Sequence, residues 1–215
     1  MKKVYTFLVL GLLMGSCASE ESNDAVSQEQ DSQKVENCIY TFNEATTSLE
    51  WTAYKFLRKE GVGGAFKMIN VEGDKKGGDP REIISSLSFS IPITSTETND
   101  PSRNQKIQDF FFGSLASTEL INGKVVDLGD DGVATLEITM NEITQEVKGE
   151  YSLEDNVFTY NTEIDVLNWN ASAGLEALNT ECEGLHTDIE NGDTESKLWP
   201  DVKIAFRTEL SKNCD

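Results

Sequence analysis

Alternation of apolar and polar side chains with a period of two runs through most of the chain, and long helical periodicity is scarce. The clearest run sets Leu87, Phe89, Ile91 and Ile93 against Ser88, Ser90, Pro92 and Thr94. A second sets Val202, Ile204, Phe206, Thr208 and Leu210 against Lys203, Ala205, Arg207, Glu209 and Ser211. The same rhythm marks Leu49, Trp51 and Ala53, then Leu136, Ile138 and Met140, then Phe158, Tyr160, Thr162, Ile164 and Val166. Fainter strands are predicted over residues 65–71, 118–128 and 146–153. Successive side chains of a strand point to opposite sides of the sheet, so each of these strands carries one oily face and one wet face.

Turn-forming clusters separate the strands: Gly73-Asp74, Lys76-Gly77-Gly78-Asp79-Pro80, Gly129-Asp130-Asp131-Gly132 and Glu154-Asp155-Asn156. Roughly eight strands result, which suits a meander closed into a barrel around one ligand. A sandwich with a solid core would show the same alternation, and periodicity does not separate the two. Two short helices interrupt the strands. Asp100-Pro101 reads as an N-cap with proline at the first helical position, and Ile107, Phe110 and Phe111 then share one face before Gly113. A second helix is predicted over residues 172–182, with Leu175 and Leu178 facing inward.

The N-terminus changes the picture of where this domain works. Lys2 and Lys3 precede an apolar run from Val4 to Met14, followed by Gly15-Ser16-Cys17, which reads as a signal peptide over residues 1–16. The run is too short to span a bilayer, which takes about 20 apolar residues. Cys17 after small residues resembles the lipobox of bacterial lipoproteins, with Met14 where leucine is usual. That resemblance implies cleavage before Cys17, acylation of its thiol and anchorage in the bacterial cell envelope; ordinary secretory cleavage that removes Cys17 is the alternative. Residues 17–36 are Ser-, Glu-, Gln- and Asp-rich and read as a flexible acidic tether, leaving residues 37–215 as one domain.

Charge and cysteines then exclude function classes. The chain holds 18 basic and 38 acidic residues, a net charge of −20, and losing Lys2 and Lys3 with the signal makes it 16 against 38, or −22. Such a surface repels phosphate backbones and anionic lipid headgroups, so neither a nucleic-acid partner nor membrane binding through charge is expected. Beyond Cys17 there are Cys38, Cys182 and Cys214, with no CxxC pair and a single histidine, His186, so neither a metal site nor a cofactor is expected. Export favours a disulfide. In a closed barrel the first and last strands are neighbours, which favours Cys38 with Cys214 and leaves Cys182 free; another pair, or none, stays open. Gly61-Val62-Gly63-Gly64 lacks the following helix of a dinucleotide loop and reads as a bend. His186 has no nucleophile partner in a recognisable elbow, and the carboxylates at 188–195 fit no calcium loop.

Several spaced motifs together resemble the YceI-like family of exported lipid-binding barrels. Ser48-Leu49-Glu50-Trp51-Thr52-Ala53-Tyr54-Lys55-Phe56 is similar to that family's first long strand, and Gly61-Val62-Gly63-Gly64-Ala65-Phe66 to the entry of its second. Asp100-Pro101-Ser102-Arg103-Asn104 followed by Gln108-Asp109-Phe110-Phe111 resembles its helix, with Asn104 where aspartate is usual and Lys106 where histidine is frequent. Met140-Asn141-Glu142-Ile143-Thr144-Gln145-Glu146-Val147 is similar to its hairpin, with Glu142 in place of a glycine. Cys38, Trp169-Asn170-Ala171, the stretch from Cys182 to His186 and Leu198-Trp199-Pro200 resemble a lipoprotein subgroup seen in Bacteroidetes.

The resemblance implies an all-β, closed, antiparallel, eight-stranded, lipocalin-like barrel with one or two helical insertions and a polyisoprenoid, quinone-like or fatty acyl chain in its interior. The candidate lining is Trp51, Phe66, Phe89, Ile91, Leu136, Ile138, Phe158, Tyr160, Ile164, Ile204 and Phe206, with Phe110 and Phe111 at a mouth. Each of these also serves as ordinary core. The expected function is therefore an anchored, non-enzymatic lipid carrier, with an apolar lipid as partner and the membrane reached through acylated Cys17. A surface scaffold with a filled barrel is the second reading. An enzyme on a lipid substrate ranks last, since the inward faces offer chiefly Tyr160 and Thr162 as polar groups.

Overall fold

The computed structural model describes residues 37–117 and 119–215; the expectations placed on the signal peptide, Cys17 and the tether lie outside them. Thirteen strands are present: β1 (Cys38–Thr41), β2 (Ser48–Lys55), β3 (Glu60–Phe66), β4 (Asn70–Glu72), β5 (Lys76–Gly77), β6 (Ser88–Pro92), β7 (Thr96–Glu97), β8 (Leu120–Leu128), β9 (Val133–Met140), β10 (Ile143–Glu154), β11 (Val157–Asp165), β12 (Leu198–Glu209) and β13 (Ser211–Cys214). Three α-helices join them: α1 (Pro80–Ser85), α2 (Pro101–Lys106) and α3 (Ser172–Glu181).

Ten strands form one antiparallel sheet in the order β4-β6-β8-β9-β10-β11-β12-β2-β3-β7. The sheet is a strongly curled half-barrel, and the expected eight-stranded closed barrel is corrected. Residues 67–69 separate β3 from β4, and a 3₁₀ turn over Ile93–Ser95 after Pro92 separates β6 from β7. Proline donates no backbone hydrogen bond, so the ladder cannot run through unbroken. The broken pieces pair separately, β7 with β3 and β4 with β6, and end up at opposite ends of the strand order. Bulges add curl: the β12–β2 register shifts between Leu198 and Val202, around Pro200, and the β8–β9 register shifts between Val125 and Asp127.

The β9–β10 hairpin turns on Asn141 and Glu142, both at positive φ (51° and 61°). That conformation suits a two-residue hairpin and explains why glycine is usual where Glu142 stands. Helix α1 begins with Asp79 accepting from Arg81 N at 2.8 Å and Pro80 in the first turn. It is the same Asp-Pro start signal as at Asp100, here read from sequence as part of a turn. Its Ile83 and Ile84 are buried against Val71, Leu87 and Leu128 and plug one end of the curl. Arg81 pins the plug, donating to Tyr151 Oη at 2.9 Å, to Leu128 O and to Asp130.

The chain ends are strapped across that end by a second, three-stranded sheet, β13-β1-β5. Cys38 and Cys214 face each other in register and are joined by a disulfide across 176 residues, while Cys182 is free and buried. A cross-link closing so long a loop removes much entropy from the unfolded chain. Replacing both cysteines by serine is expected to lower unfolding free energy by about 3–5 kcal/mol in urea titrations; an unchanged midpoint would show that the strap carries no stability.

Candidate functional site

The inner face of the curled sheet is apolar, and space remains between its side chains. One cavity, of about 130 Å³, is lined by residues including Phe89, Ile91, Leu136, Ile138, Phe158, Tyr160 and Phe206, with Ile84 of the plug at its base. A second, of about 140 Å³, lies among Trp51, Phe66, Ile164, Val202 and Ile204, roofed by Ile107, Phe111, Phe112, Leu175 and Leu178. Phe66, Ile121, Met140, Ile164 and Ile204 line both, so the two are adjoining lobes of the sheet's interior, separated by no more than these side chains. A third space of about 230 Å³ shares Trp51, Ala53, Ile107, Leu178 and Leu198 with the second, and adds Lys55, Asp100, Arg103, Lys106, Cys182 and His186. The lumen thus runs from a dry, plugged end to a charged mouth.

Register explains why the lumen is not filled. Trp51 lies directly opposite Gly64 and Phe89 directly opposite Gly123. A Cβ on Gly64 would sit 2.1 Å from Trp51 Cζ2, and one on Gly123 would sit 2.2 Å from Phe89 Cζ. Tyr160, whose register partner is Tyr151, lies diagonally over Gly149, 2.6 Å from where its Cβ would stand. Each ring therefore lies over bare backbone and occupies wall rather than lumen. Gly61-Val62-Gly63-Gly64, expected as a bend, is the strand β3 itself.

Twelve of the thirteen expected lining residues border the cavities, and Phe110 does not. After α2 the chain makes a π turn over Ile107–Phe111. The wider turn rotates the apolar face by one residue, so Ile107, Phe111 and Phe112 face the lumen instead of Ile107, Phe110 and Phe111. The rings of Phe111 and Phe112 meet edge to face, 5.0 Å between centroids. Gly174 of α3 lets that helix approach closely, since a Cβ there would stand 2.4 Å from Phe111 O. Val202, Leu198 and Ile121 also line the lumen; Val202 was legible from the alternation of its strand, whereas Leu198 enters through the bulge.

The interior holds few polar groups. Burial pushes the Tyr160 phenol up to about 12, and its hydroxyl turns to the wall, donating to Val147 O at 3.3 Å. Trp169 is buried and donates to Ile138 O at 3.1 Å. Among the described residues Trp51 Nε1 is the one buried side-chain polar atom with no partner.

The mouth is organised by β2, α2 and the loop after α3. Asp100 caps α2 through Ser102 N and Arg103 N. Asn104, where aspartate was the family expectation, accepts from Thr98 N and Oγ1 and donates to Glu97 at 3.3 Å. A carboxylate there would face the Glu97 carboxylate, which the hydrogen bond from Lys67, then Asn104 and the Asn99 amide, holds down at about 2. Lys106 pairs with Glu181 at 3.1 Å, and Lys55 Nζ donates to Leu185 O at 3.0 Å. Asn179 is oriented by its amide donating to Ser196 Oγ at 3.0 Å, so its Oδ1 accepts from His186 Nδ1 at 3.0 Å and fixes the tautomer. Burial first, then Lys55 and Lys106, push the imidazole down to about 4, and burial pushes the Cys182 thiol up.

This geometry defines a curled β-sheet enclosing an apolar lumen with a polar entrance. The YceI-like domain model matches residues 40–210, and the chain belongs to that family. Two solved structures share the fold. A polyisoprenoid binding domain from Saccharophagus degradans, implicated in plant cell wall breakdown, has a TM-score of 0.58 at 12% identity, covering 81% of this chain and 98% of that one. BcnA from Burkholderia cenocepacia has a TM-score of 0.53 at 15% identity, covering 79% and 99%. No curated protein matches the chain.

His186 is the chain's one histidine, so its imidazole can be followed alone by NMR. Its titration midpoint is expected near 4; a midpoint at or above the ordinary 6.5 would contradict the burial described. With the folded value depressed, the unfolded chain takes up the proton first. Stability is therefore complete above about 6.5 and falls as pH drops towards 4, and His186→Gln removes that part of the decline.

Proposed function

We propose that the protein holds a long apolar chain, polyisoprenoid, quinone-like or fatty acyl, in its lumen, and does so outside the cytoplasm as a lipoprotein anchored through acylated Cys17. The observation that carries the binding half is the pair of adjoining apolar lobes, walled by aromatic and branched side chains from both halves of the sheet. Water in such a space finds almost no hydrogen-bond partners, while each buried methylene of a guest contributes roughly 0.8 kcal/mol. Strand β12 from Leu198 to Phe206 lines the whole path. At about 3.3 Å per residue and a tilt near 40° that is roughly 20 Å along the lumen, so a long unbranched or isoprenoid tail matches it better than a compact ligand. An oxygen on the guest near Trp51 would satisfy its unpaired Nε1.

Family membership supports the same reading, as does the polyisoprenoid binding described for the S. degradans domain of the same fold. The anchoring half rests on the signal peptide and the residues around Cys17. A filled scaffold barrel is disfavoured by the lobes themselves. A lipid-processing enzyme is disfavoured because the apolar lobes hold no facing acid–base pair among the described residues, Tyr160 being buried and turned to the wall.

The test is native mass spectrometry of the full chain carrying Cys17→Ser, which separates lumen lipid from covalent acyl groups, followed by uptake of alcohols of increasing chain length. A co-purified lipid, or affinity that rises with chain length and levels off at a tail of roughly 20 Å, is the expected result. No co-purified lipid together with no uptake of any long-chain probe would end the reading.

A further inference from the structure

We propose that the mouth of the lumen seats a single negative charge, so that the guest is an anionic amphiphile with a carboxylate or phosphate head. The inference rests on the lipid-binding reading and names the head that reading leaves open. Although the chain's net charge is −20, the side chains lining the mouth include three cations, Lys55, Arg103 and Lys106, and one carboxylate, Asp100. The cations come from β2 and from α2.

Their partners decide the charge of the head. Lys106 is neutralised by Glu181 at 3.1 Å, and Arg103 stands 3.9 Å from Asp100. Lys55 forms no ion pair among the described residues; its ammonium donates to Leu185 O and lies 4.2 Å from the centre of the Phe56 ring. Partial burial weakens its hold on its proton, and Glu60, Arg103 and Arg58 act on it from a distance. His186 and Cys182, which also line the mouth with Tyr54, are neutral at physiological pH. The site is left with one partly buried cation that no carboxylate among the described residues pairs directly, Glu60 opposite it acting only from a distance, and such a charge favours a closer counter-charge. Charge-assisted hydrogen bonds from Lys55 and Arg103 suit carboxylate and phosphate oxygens.

Position supports the same conclusion. Trp51, Ala53, Ile107, Leu178 and Leu198 border both the mouth and the adjoining apolar lobe. A head held by Lys55 therefore feeds its tail into the lumen without a polar step. Lys106, which departs from the histidine frequent at that place in the family, is what brings the third cation to the mouth.

Three probes with one saturated tail test this on the full chain carrying Cys17→Ser: a fatty acid, the alcohol of equal length and the alkyl phosphate. The acid and phosphate are expected to bind at least about tenfold tighter than the alcohol, the scale of one charge-assisted hydrogen bond. Salt should narrow the gap. Lys55→Met should bring the acid-to-alcohol ratio close to one, while Lys148→Met, on the outer face, should leave it unchanged. Whichever anion binds tighter identifies the source of the charge. An alcohol that binds as tightly as both anions, or a preference that survives Lys55→Met, overturns the charged-head proposal and leaves lipid binding standing. Failure of all three probes overturns both.

Discussion

A sheet this strongly curled ought to fill its own centre, because inward side chains converge as the radius shrinks. What prevents it is the opposition of large rings and bare backbone: Trp51 over Gly64 and Phe89 over Gly123, with Tyr160 lying diagonally over Gly149. Glycine costs strand stability, since it packs nothing and loses more entropy on folding. Here the facing ring covers the gap and restores apolar contact across the strands. The rings that would block a lumen become its wall, and the volume they leave forms two adjoining apolar lobes.

The remaining architecture serves that hollow. Bulges near Pro200 and Val125 supply curl, α1 and the disulfide strap close one end, and the π turn brings Phe111 and Phe112 over the other. Polarity is segregated along the axis. Among the described residues the interior holds one unpartnered donor, Trp51 Nε1, while the cations stand together at the mouth in a chain whose net charge is −20. On the proposed reading, such a gradient would orient an amphiphile by its two ends, tail inward and head outward.

Much of this was legible in the residues. Alternation located β2, β6, β9, β11 and β12, because a sheet with one wet face imprints period two directly. Asp100-Pro101 located α2, and the identical signal at Asp79-Pro80 announced α1 but was absorbed into a glycine-rich turn. Phe110 was misplaced because a 3.6-residue period does not foresee a π turn. The breaks at 67–69 and 93–95 were hidden because Pro92 and Ile93 keep the alternation while the ladder parts. The cavity was least legible of all. Whether an inward aromatic is core or wall depends on which residue of a neighbouring strand stands opposite it, and Phe89 and Gly123 are far apart in sequence.

Xenon tests that opposition most directly, since it enters dry apolar cavities and is seen where it sits. Crystals of delipidated protein under xenon are expected to show atoms in both lobes, and crystals of Gly64→Ala to lose the one beside Trp51 as the ring is driven inward. No xenon in the unaltered protein, or undiminished occupancy beside Trp51 in the variant, would contradict the account.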